Sequence, residues 1–183
     1  MKRARRELLE VHHSASARQI ERAAAAGYTL MFASALEFFL FRESLDEAAA
    51  KGYTDLTPHS HVIEDYHVLQ TTRDEYLIRA IRNGVDGAGV PVEFSKGEAG
   101  RGQHEINLVY STPLEMADRH VIYKNAAKEI ASQYGRAITF MAKYSETEVG
   151  SSCHIHSSVW NADASDSLMW RADAPDHLSP TFR

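Results

Sequence analysis

The 183-residue chain is 44% hydrophobic and 25% charged, a balance suited to one soluble domain with a buried core and leaving little room for a second. A formal net charge of −5 and a pI near 6.0 supply no basic field for nucleic acid or anionic lipid. The single cysteine, Cys153, excludes an internal disulfide framework and suits a reducing, cytoplasmic setting.

Lys2, Arg3, Arg5 and Arg6 open the chain, but Leu8-Leu9 is followed by Glu10 and His12-His13 where an export signal needs an apolar run. The apolar residues around 28–41 contain Ser34 and Glu37 and fall short of the roughly 20 that span a bilayer. No membrane segment is expected. Helix starts are marked by Ser16/Gln19, Ser44/Glu47, Thr72/Glu75 and Thr112/Glu115, each a hydroxyl followed three positions later by a Glu or Gln that can cap reciprocally. The Thr72 helix shows an apolar line through Leu77, Ile81 and Val85. The Thr112 helix, with Pro113 at its first position, shows Ile122, Ala126 and Ile130 and should stop at Gly135.

Strand-type runs cover residues 29–41, 90–95, 104–110, 137–142 and 153–160. With no regular βαβ alternation, the order predicts an α+β domain with helices packed on a largely antiparallel sheet. Residues 161–180, rich in Asp, Ala, Ser and Pro, read as a loop, and Ser179-Pro180 reads as the opening of a further helix.

The segment 97–105, Gly-Glu-Ala-Gly-Arg-Gly-Gln-His-Glu, lies between two strand-type runs. A two-residue turn at Arg101-Gly102 would place Glu98 directly opposite Glu105. Opposed like charges, with Cβ atoms roughly 4.5 to 5.5 Å apart, need something positive between them, and a hard divalent cation is the simplest remedy. Glu37, which interrupts an apolar strand, is the candidate third ligand, because an unpaired buried carboxylate is costly. The competing reading pairs Glu37 with an arginine and leaves Glu98 and Glu105 as solvated hairpin residues. Further along, strand alternation puts His154, His156 and Ser158 on one face and Cys153, Ile155 and Val159 on the other. The two histidines fit a metal site or half-buried side chains bonded to backbone, and a cupin-like site would need a nearby glutamate that residues 157–161 do not supply. Cys153 reads as a small apolar strand residue, and the glycines of 97–102 read as turn formers.

Taken in order, Ala35 to Phe41, Gly97-Glu98 with Glu105-Ile106-Asn107, Phe140 to Lys143, and Gly150 to His156 resemble successive signature blocks of glutamine synthetases. The likeness is nearest to the bacterial branch that includes γ-glutamylpolyamine ligases. It implies a guanido-kinase-like catalytic domain, present in part over residues 1–183, with a small N-terminal β-grasp domain and the C-terminal part of the catalytic domain absent. It also implies an ATP-dependent ligase that joins glutamate to ammonia or an amine through a γ-glutamyl phosphate, with Mg²⁺ or Mn²⁺, in a homo-oligomer. On the same resemblance Glu37, Glu98 and Glu105 hold a first metal and His154 helps hold a second. His156 touches ATP phosphate, while Ser158 and Tyr110 fall near the adenosine end. Where the family carries a second glutamate two residues before Glu37, this chain has Ala35, which cannot coordinate. The truncated chain is therefore expected to be inactive alone. The alternative is a non-catalytic relative that binds metal and nucleotide or joins oligomers.

Overall fold

The computed structural model describes residues 16–183; the basic run at the N-terminus and His12-His13 lie outside them. Two compact units emerge, a central one of Ser34–Val109 and Arg119–Ile155, and a terminal one of the residues up to Ala33 with Tyr110–Asp118 and His156–Arg183.

Among the described residues five strands form one sheet: β1 (Tyr28–Phe41), β2 (Val92–Gly97), β3 (Gln103–Leu108), β4 (Ala137–Thr139) and β5 (Cys153–Asn161). Their order is β2-β3-β1-β4, with β5 also paired to β1. The β1/β3, β1/β4 and β2/β3 ladders are antiparallel, as the strand pattern predicts. Within the central unit β1 is buried on both faces from Ser34 to Phe41, which is why its sequence is nearly continuous in apolar residues. Phe38 packs toward Phe140 at 5.5 Å between ring centres, and Phe140 meets Tyr123 edge-on at 5.9 Å. Phe39 and Phe41 point the other way, onto Tyr144, at 4.6 and 5.0 Å. Each fully buried phenylalanine contributes about 1.5–3 kcal/mol.

The helices are α1 (residues 16–25), α2 (Leu45–Ala50), α3 (Val68–Thr71), α4 (Glu75–Gly87) and α5 (Pro113–Gln133). Ser44 and Glu47 form the predicted reciprocal cap of α2. Ser16 is already helical, so it does not stand at a cap. Thr72 is not a helix start either: it closes α3, its hydroxyl donating to the Val68 carbonyl at 3.0 Å, and Asp74 takes the cap position of α4. Glu75 is bound instead by Arg82, at 3.1 Å. Leu77, Ile81 and Val85 form the buried face of α4 as the periodicity requires. In α5 the buried line is Tyr123, Ala127 and Ala131, one residue on from the predicted one, and Ile122 is 41% exposed. Both lines are apolar, so periodicity could not choose between them; Tyr123 wins because its hydroxyl reaches the Leu36 carbonyl at 3.3 Å. The helix ends where Gly135 adopts φ +64°. Arg136 N–H bonds to Ala131 O and Gly135 N–H to Ser132 O, the paired closing bonds that a left-handed residue permits.

The terminal unit joins Phe32 and Ser111 through reciprocal backbone bonds of 2.8 and 2.9 Å. Its 161–180 segment is turns and short bridges, as expected of a loop, while Ser179-Pro180 leads into a turn and no helix.

Candidate metal centre

The opposed carboxylates of this protein are Glu37 and Glu105, paired across β1 and β3. Both are buried, and a pair of like charges so placed is destabilising unless other groups answer it. Strand alternation lines their face with donors: Gln103, Glu105 and Asn107 share one side of β3, with His104, Ile106 and Leu108 on the other. Gln103 Nε2 donates to Glu37 Oε2 at 2.9 Å and to the Gly150 carbonyl at 3.0 Å. Ser152 adds its backbone N–H to Glu37 Oε2 at 2.9 Å and its hydroxyl to Oε1. Asn107 Nδ2 holds Glu105 Oε1 at 2.8 Å.

The edge of β1 explains how residues around 150 arrive here. β4 covers that edge only from Phe39 to Phe41, and at Glu37 the backbone N–H bonds to Ser152 O, so another segment takes over beside the carboxylate. This handover brings His154, whose Nδ1 lies 3.8 Å from Glu105 Oε2 and 3.3 Å from the Ser152 hydroxyl. Ligand atoms of Glu37, Glu105 and His154 all fall within 4.8 Å of one another. His154 is largely exposed, so the group has two buried acidic members and one open side.

Glu98 stands outside that group. The hairpin register differs from the sequence expectation: Lys96 pairs with Glu105 and Gly97 with His104, and Glu98 N–H bonds to Gln103 O at 2.9 Å. The turn is longer, with Gln103 N–H closing on Gly100 O and Gly102 at φ +69°, its carbonyl accepting from Leu40 N–H at 2.8 Å. A side chain at position 102 would meet Leu40 O at 2.9 Å, so the β1 backbone fixes the register through glycine. A shift of two residues keeps Glu98 on the same face as Glu105 but sets Lys96 opposite Glu105. Lys96 Nζ bonds to the Glu98 carboxylate, lies 3.8 Å from Glu105 Oε1, and covers the Tyr66 ring at 4.7 Å. Burial lifts the Glu98 carboxyl above its ordinary range despite the lysine, and Glu37 and Glu105 add to the rise. Burial pulls Lys96 down, but its bond to Glu98 and the field of Glu105 outweigh this, leaving the ammonium more basic than usual.

The remaining predicted residues lie in the terminal unit. Tyr110 stacks on Trp160 at 6.2 Å with 17° between the rings, and Trp160 Nε1 donates to Ser158 Oγ at 2.8 Å. His156 is exposed. From Cys153 to Ser157, β5 is exposed on both faces, so the expected division into a polar and a packed face does not apply there, and Cys153 is not a packed residue. Lys96, Gln103, Asn107 and Ser152 were missed from sequence. Alternation of polar residues at 103, 105 and 107 was the available signal for two of them.

Residues 13–183 match the sequence profile of the glutamine synthetase catalytic domain, and the chain belongs to that family. Gamma-glutamylethanolamide synthetase of Streptomyces coelicolor is 48% identical over 151 residues, covering 82% of this chain and 32% of the relative. Glutamate–isopropylamine ligase of a Pseudomonas species is 34% identical over 140 residues, 76% of this chain and 30% of the relative. The solved complex of GmaS with ADP superposes with a TM-score of 0.77 at 29% identity, covering 92% of this chain and 37% of that one. The chain thus spans about a third of the length of the relatives it matches, and its α+β fold is that of part of a glutamine-synthetase-type catalytic domain. No helix among the described residues is long and apolar enough to cross a membrane.

Proposed function

We propose that residues 1–183 contribute one metal-binding portion of a cytoplasmic, homo-oligomeric ligase that uses ATP to join glutamate to ammonia or an amine through a γ-glutamyl phosphate. The supporting observation is the convergence of Glu37, Glu105 and His154 within 4.8 Å on a face otherwise lined by hydrogen-bond donors. Two carboxylates with one imidazole fit Mn²⁺ or Mg²⁺, and the open side leaves room for water or phosphate oxygens. Such an ion supplies neutralisation of phosphate charge. The protein's own part is to hold the ligands still: Gln103 and Ser152 fix Glu37 and Asn107 fixes Glu105, while Lys96 occupies Glu98 and competes with the ion for it. Glu98, close enough to feel the charges of Glu37 and Glu105, is the proposed third carboxylate ligand. His156, Ser158 and Tyr110 are the proposed nucleotide contacts, with Tyr110 and Trp160 offering a stacked aromatic surface.

Ala35 favours a second reading, a non-catalytic metal- and nucleotide-binding relative. It precedes Glu37 by two residues on the same strand, is 2% exposed, and offers only a methyl group to any further ion. Titration with Mn²⁺, followed by electron paramagnetic resonance with and without a non-hydrolysable ATP analogue, tests both readings. Wild type should bind one ion that tightens the analogue, and Glu105→Gln should lose it. Unchanged Mn²⁺ binding in Glu105→Gln would overturn the site assignment. Amide synthesis by the chain alone would exclude the non-catalytic reading.

A further inference from the structure

The opposite face of β3 carries a second cluster that the ligase reading does not use. His104 points there, 2% exposed, with Nε2 at 3.0 Å from Asp74 Oδ2 and 4.0 Å from Glu64 Oε2. Asp74 also faces His59, whose Nδ1 lies 2.7 Å from Oδ1. Although it occupies the cap position of α4, Asp74 makes no side-chain bond to that helix; its carboxylate is turned onto the two imidazoles. Burial works against the charge of Asp74, yet its bonds to His104 and His59 hold it well below the usual carboxylate range.

Glu64 is the anomaly. It is 1% exposed, and neither of its carboxylate oxygens has a hydrogen-bond partner among the described residues. A proton on one oxygen would leave the other without a donor, and the single Nε2 position of His104 is already directed at Asp74. A cation between the three groups would engage all of them at once. Ligand atoms of Glu64, Asp74 and His104 lie within 4.8 Å of one another, and all three residues are buried.

We infer that Glu64, Asp74 and His104 form a closed, structural site for a divalent transition-metal ion of the Zn²⁺ class, separate from the open Glu37–Glu105–His154 centre. Mixed imidazole and carboxylate donors select that class over Ca²⁺, and full burial gives the ion no catalytic opening. His59 acts as the outer partner that orients Asp74, the usual role of a group bonded to a metal-binding side chain. Such an ion ties the segment carrying Glu64 and the start of α4 to the middle of β3.

The test uses the full chain carrying Glu105→Gln, or His154→Ala if that variant folds poorly, so that the open centre is disabled. After chelator treatment the protein is titrated with Zn²⁺ against a chromophoric chelator, and a crystal is measured at the zinc edge. One Zn²⁺ should bind, with anomalous density between Glu64, Asp74 and His104 and a raised melting temperature. Adding Glu64→Gln, which keeps shape and removes charge, should weaken binding by more than the roughly 10–100-fold that losing an outer partner costs, and erase the thermal shift. Absence of stoichiometric Zn²⁺ in the Glu105→Gln chain, or equal affinity after Glu64→Gln, would overturn the inference. Mn²⁺ binding at the open centre of the wild-type chain is read separately, so either idea can fail alone.

Discussion

The two faces of β3 are equally buried yet solve the same electrostatic problem in different ways. On one, Glu37 and Glu105 are held by the neutral donors Gln103, Ser152 and Asn107, with the Lys96 ammonium 3.8 Å from Glu105 and an exposed imidazole at the rim. On the other, Glu64 and Asp74 meet buried His104, and neither Glu64 oxygen has a hydrogen-bond donor among the described residues. Neutral donors satisfy oxygen atoms but cancel no charge, and the one ammonium there is bonded to Glu98, so the carboxylates of the first face outnumber it and keep an attraction for a cation while remaining tolerable without one. The second face leaves both Glu64 oxygens without a donor among the described residues, a greater penalty that an ion bound to them would relieve. An open, donor-lined face belongs to exchangeable chemistry; a closed, unanswered one belongs to structure.

The hardest way to break this contrast is to remove the apolar floor of the closed face. Phe38 is fully buried, pairs with His104 across β1 and β3, and packs on Phe140. Phe38→Ala should cost about 3–5 kcal/mol of stability in urea unfolding, against a far smaller loss from a surface change. Next in size is Glu105→Gln, expected to weaken Mn²⁺ binding by about 100-fold or more in calorimetry while leaving the fold intact, because a ligand contributes more than the outer partners that orient it. Gln103→Leu removes one such partner of Glu37 and should weaken Mn²⁺ by about 10–100-fold.

A reference away from both faces is Glu43, a buried carboxylate answered by Lys51 and by the amide and hydroxyl of Thr57. Burial opposes its charge, but Lys51 and Thr57 bring its pKa down to about 2 from 4.5. A carboxyl depressed on folding stabilises the native state above its unfolded pKa and loses that benefit as pH falls through the folded one. Glu43→Gln should therefore cost about 1–2 kcal/mol at pH 7. That deficit should shrink between pH 4.5 and about 2 in acid-unfolding curves. The smallest effect should come from Lys96→Met: with the competing ammonium gone from between Glu98 and Glu105, Mn²⁺ should bind a few-fold more tightly. Weaker binding would mean that Lys96 positions the carboxylates more than it competes with the ion.

Much of this was legible from the amino acids. β1, β3, the N-terminal cap of α2, the stop at Gly135 and the α+β class follow from local rules: alternation, reciprocal capping and the left-handed tolerance of glycine act over a few residues and need no distant partner. The likeness of four ordered blocks to glutamine synthetases is equally a property of the chain read in order. Local rules failed where two local answers were both acceptable. The hairpin could turn in two residues or four, and only the β1 backbone against Gly102 chose. Ile122 and Tyr123 both offered α5 an apolar line, and a carbonyl on β1 chose between them.

From the sequence alone came the presence of Glu37, Glu98, Glu105 and His154, and the expectation that acidic groups would need a positive partner. Tertiary structure decided which pair of carboxylates actually faces the other, that Lys96 already stands beside Glu98, and that Glu64, Asp74 and His104 meet behind the same strand. Those are contacts between residues far apart in the chain, set by sheet register and by which helix covers which face, and no local pattern encodes them.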